Sequence, residues 1–165
     1  MAKTKLDPDL LHIQAQQAAL GVLARDSELD VDAVTDAVAP SHVRGTFTPD
    51  VAILELAVIA LDLAVAATGE PVAYTGLRET YLPEITFRGR TQHHHSQYAL
   101  YAAATMRGGV TPDLLNDAGW WDPKLWTYAV FALVIYTRVA AERQHTSTAA
   151  VARQILERIG ITLNP

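Results

Sequence analysis

The stretch VAILELAVIALDLAVAA, residues 51 to 67, admits two readings, and the choice between them sets the fold. It either spans a bilayer or forms a helix that the rest of the chain covers. A spanning helix needs roughly 20 consecutive apolar residues. This stretch is shorter and carries Glu55 and Asp62, so it reads as a buried helix of a bundle. WTYAVFALVIYTRVAA, residues 126 to 141, fails the same length rule and carries Arg138. No membrane span is expected.

Working outward, Thr48-Pro49 supplies an N-cap and a proline at the first helical position, so a long central helix starts there. Asp7-Pro8 does the same for a helix to about Ala24, with Leu10, Leu11, Ile13, Ala18, Leu20 and Leu23 recurring at three- and four-residue intervals. A shorter helix follows in LDVDAVTDAVA, with Leu29, Val31, Val34 and Val38 inward, and it ends before Pro40. Gln92 to Arg107 forms a further helix closed by Gly108-Gly109. Asp122-Pro123 opens one that reaches Arg143, and Ser147 or Thr148 caps a last one through Ile159, closed by Gly160. Residues 69 to 89 have no clean period and read as a long irregular connection, within which GLRETYL, 76 to 82, is a candidate short helix.

These signals predict an all-α fold: one helical domain over residues 1 to 165, a compact bundle of five to seven helices. Its expected core includes Leu56, Ile59, Leu63, Leu100, Val130 and Leu133. QYALYAAATM (97 to 106) and TYAVFALVIY (127 to 136) match at an offset of thirty residues, which predicts two neighbouring antiparallel helices. The helices around 51 to 67 and 126 to 141 are apolar around more of their circumference than a small monomer usually covers. A homodimer is therefore expected.

Half of the residues are hydrophobic and no Gly/Ser/Pro-rich linker divides the chain, which excludes a disordered protein. The absence of cysteine removes disulfides, a thiolate nucleophile and Cys-ligated zinc. The N-terminus MAKTKLDPDL lacks the apolar run of a secretory signal, so a cytoplasmic location is expected. No GxSxG, Walker A or GxGxxG-helix motif is present, and the metal-ligand spacings HxxxH, ExxH and HExxH are read as absent, so neither a cofactor nor a metal is expected.

The net charge of -5 is unevenly spread. Residues 1 to 70 hold eleven acids against four bases, and residues 71 to 165 hold seven against nine. Within the second part, residues 85 to 112 contain Arg88, Arg90, Arg107, His93, His94 and His95 but no Asp or Glu. Consecutive histidines on a helix point about 100° apart, so these three do not chelate one ion. They stand at a helix start, where a positive charge opposes the helix dipole and a bound anion relieves the conflict. Glu55 and Asp62, nearly two turns apart, share one stripe of an apolar helix and are candidate buried polar residues. The Arg/His segment is the richest source of partners for them, and a carboxylate paired with a histidine is the functional form of that stripe. Trp120 and Trp121 in AGWWDP mark a second candidate contact surface.

The spacing of Arg90 and His95, with four residues between them, resembles the Arg…His motif at a helix start in some small helical ribonucleases of the HEPN superfamily. The resemblance covers about a dozen residues. It implies metal-independent cleavage of RNA at a dimer interface, with Arg90 holding phosphate, His95 moving a proton, and Arg88, His93 or His94 in support. Thr91 occupies the position where those enzymes often carry another polar residue, and Arg138 and His145, with six residues between them, also fall within the four to six residues that the motif allows. The leading expectation is different: a cytoplasmic interaction or regulatory module whose contact surfaces are AGWWDP and the Arg/His edge, with a protein partner, RNA or another phosphate ligand.

Overall fold

A computed structural model describes residues 8–25, 31–41, 48–73 and 126–160, together with positions 77, 80, 100, 103 and 104. The described elements are α1 (Pro8–Arg25), α2 (Val31–Val38) with a 3-10 turn at Ala39–Ser41, α3 (Thr48–Thr68), α4 (Trp126–Gln144) and α5 (Thr148–Ile159). There is no strand among the described residues. The fold is all-α, as the sequence predicts. Leu77 and Thr80, in the 76 to 82 stretch, have helical backbone, as do Leu100, Ala103 and Ala104.

Among the described elements, the largest interface joins α3 to α4. Alanines on both helices, among them Ala57, Ala60 and Ala64 on α3 and Ala129, Ala132 and Ala140 on α4, are buried and let the axes approach closely. Every residue of α4 from Ala129 to Thr137 is buried. Such a run exceeds two turns, so no face of that segment is left to solvent. Its buried hydroxyls are bonded inside the core: that of Thr137 donates to the Leu133 carbonyl one turn back at 2.6 Å, and that of Tyr136 donates to the Leu100 carbonyl at 2.7 Å. The second bond places position 100 beside α4, the adjacency that the repeated aromatic-alanine pattern implies. The all-round apolar character of this segment is thus absorbed within one chain, which removes it as a reason for dimerisation. No helix among the described residues is long and apolar enough to cross a membrane.

α2 packs on α1 and α4 through Val31, Val34 and Val38, all buried. Thr35 bonds back to the Val31 carbonyl, and Pro40, lacking an N–H, falls in the 3-10 turn that ends the helix. α1 meets α2, α3 and α5. Its buried stripe is Leu11, Ala15, Ala19, Leu20 and Leu23. Leu10 and Ile13, two of the apolar positions that recur along this helix, are 53% and 40% exposed. Small residues at Ala15 and Ala19 set the phase of the contact because they permit close approach, and the larger side chains of Leu10 and Ile13 turn outward. Ile59 and Leu63, expected in the core, are only partly buried at its edge.

The helix ends follow local rules. Gly69 has φ +72 and donates to the Val65 carbonyl, closing α3. Ser147 caps α5 by accepting from the Ala150 N–H, and Gly160 ends it with φ +70 and a bond to the Leu156 carbonyl. Between α4 and α5, the His145 N–H donates to the Glu142 carbonyl and the Thr146 N–H to that of Ala141. This is a Schellman turn with His145, at φ 54, in the left-handed position usually given to glycine. Paired amide bonds between Gln144 and Gln154 then fasten the hairpin.

Candidate functional site

The polar cluster with the best-defined geometry lies where α1 crosses α3. On α1, His12 and Gln16 are four residues apart and so project from one face. On α3, Ala52 and Glu55 are three apart and do the same. Glu55 Oε2 lies 2.8 Å from His12 Nε2 and accepts from the Gln16 amide at 3.1 Å. The same amide also donates to the Ala52 carbonyl at 3.2 Å. Gln16 is buried, whereas the side chains of His12 and Glu55 are 25% and 44% exposed. The amide therefore fixes the seam from inside, and the histidine-carboxylate pair closes it at the rim.

This arrangement orients an imidazole against a carboxylate, the pairing foreseen for the α3 stripe, but the histidine comes from α1 and not from the Arg/His segment. Asp62 is partly buried on the same stripe, about 10 Å further along the axis at helical rise. Glu55 is the carboxylate that bonds to His12 and Gln16 in this seam. A half-exposed pair of this kind contributes at most about 1 kcal/mol, so its first effect is to set how α1 sits on α3.

Arg88, Arg90, His93, His94, His95, Trp120 and Trp121 lie outside the described residues. Two other spacings can be placed. Arg138 and His145 belong to α4 and its terminal turn, where His145 is exposed and shapes the Schellman motif. Glu142 and His145 do stand at the ExxH spacing known from di-metal helix bundles, which corrects the expectation that it is absent; both are exposed. Among the described residues, no group of three or more His, Asp or Glu side chains could hold a metal ion.

Sequence reasoning missed His12, Gln16 and Arg143. The signal for the first two was a pair of polar residues four apart within the uncharged run from Leu10 to Ala24. Arg143 reaches from α4 to the end of α3, donating to the Ala64 carbonyl, the Thr68 hydroxyl and the carbonyls of Glu70 and Pro71. It anchors the beginning of the 69 to 89 connection. Compared with protein-family models, with curated proteins and with solved structures, the chain matches none.

Proposed function

We propose that the protein is a cytoplasmic interaction or regulatory module that works as a homodimer and makes protein contacts through the outer face of α1. One observation carries this reading: Leu10 and Ile13, one turn apart, are about half exposed on a helix whose opposite face is in the core. Exposed aliphatic side chains grouped on one rigid face gain by being covered. AGWWDP and the Arg/His edge serve as further contact surfaces in this reading. The test places a photo-crosslinking residue at position 14, between the two exposed side chains, and irradiates both cells and purified protein. The expected result is a discrete cross-linked species of defined mass. No cross-linked species in either setting contradicts the reading.

A second reading rests on the acid-free window from residue 85 to 112: a metal-independent ribonuclease with Arg90 on phosphate and His95 as the proton-transfer group. Under it, RNA is cleaved in the presence of a chelator, and Arg90→Ala and His95→Ala each lower the rate at least about 100-fold without changing thermal stability. Cleavage that survives both substitutions, or no cleavage of structured and unstructured RNA alike, contradicts it.

A further inference from the structure

We draw no further inference here: the strongest candidate, the His12–Glu55 pair at the rim of the α1–α3 crossing, belongs to the site already described, and as a part-exposed pair it is too weak to switch how α1 docks.

Discussion

Phe131→Ala is expected to destabilise the protein by about 3–5 kcal/mol, lowering the melting temperature by roughly 10–15 °C at this chain length. Phe131 is among the largest fully buried side chains, and it lies in the segment of α4 that is buried on every side. Its truncation removes the ring's transfer free energy and leaves a cavity that the surrounding helices cannot close without breaking other contacts. Ile13→Ala is the control. It removes an aliphatic side chain of intermediate size from an exposed position and is expected to change stability by less than about 0.5 kcal/mol. Thermal unfolding at low protein concentration, where association does not contribute, separates the two.

Arg143→Ala is expected to cost about 2–3 kcal/mol, with a fall in melting temperature of roughly 5–10 °C. One guanidinium serves four acceptors at and beyond the C-terminus of α3, two of them carbonyls of Glu70 and Pro71 outside the helix. Its cationic charge also complements the negative end of the α3 dipole. The site is partly exposed, so water replaces some of the lost bonds and the total stays well below four times a charged hydrogen bond. Arg143→Lys is expected to recover only part of the loss, because an ammonium lacks the planar fork that reaches acceptors in two directions. Equal melting temperatures for wild type and Arg143→Ala would show that the clamp contributes nothing.

Much of the fold was legible because its signals are local. Pro8, Thr48-Pro49, Ser147 and Gly160 act through their own backbone geometry or hydrogen bonds within a few residues, and the corresponding helix ends fall at or within a residue of where the sequence places them. The rotational phase of α1 was less legible. Counting intervals of three and four identifies a helix, but which stripe faces inward depends on how closely neighbours approach, and that turned on Ala15 and Ala19 rather than on Leu10 and Ile13. The α1–α3 seam joins residues 43 positions apart, and Arg143 reaches acceptors more than 70 positions away. No local rule carries that information. Glu55 is visible in the sequence as an acid needing a partner, but composition points to the histidines at 93 to 95 as readily as to His12.

The most direct test of the outer α1 face as the contact surface is a filtered NOE experiment on a mixture of methyl-labelled and unlabelled copies at high concentration. The account predicts intermolecular NOEs from the methyl groups of Leu10 and Ile13. It predicts none from those of the buried residues Leu56 and Leu133. Intermolecular NOEs from Ile59 and Leu63 on α3 without any from Leu10 or Ile13, or no intermolecular NOE and no second protein cross-linked from position 14, would contradict it.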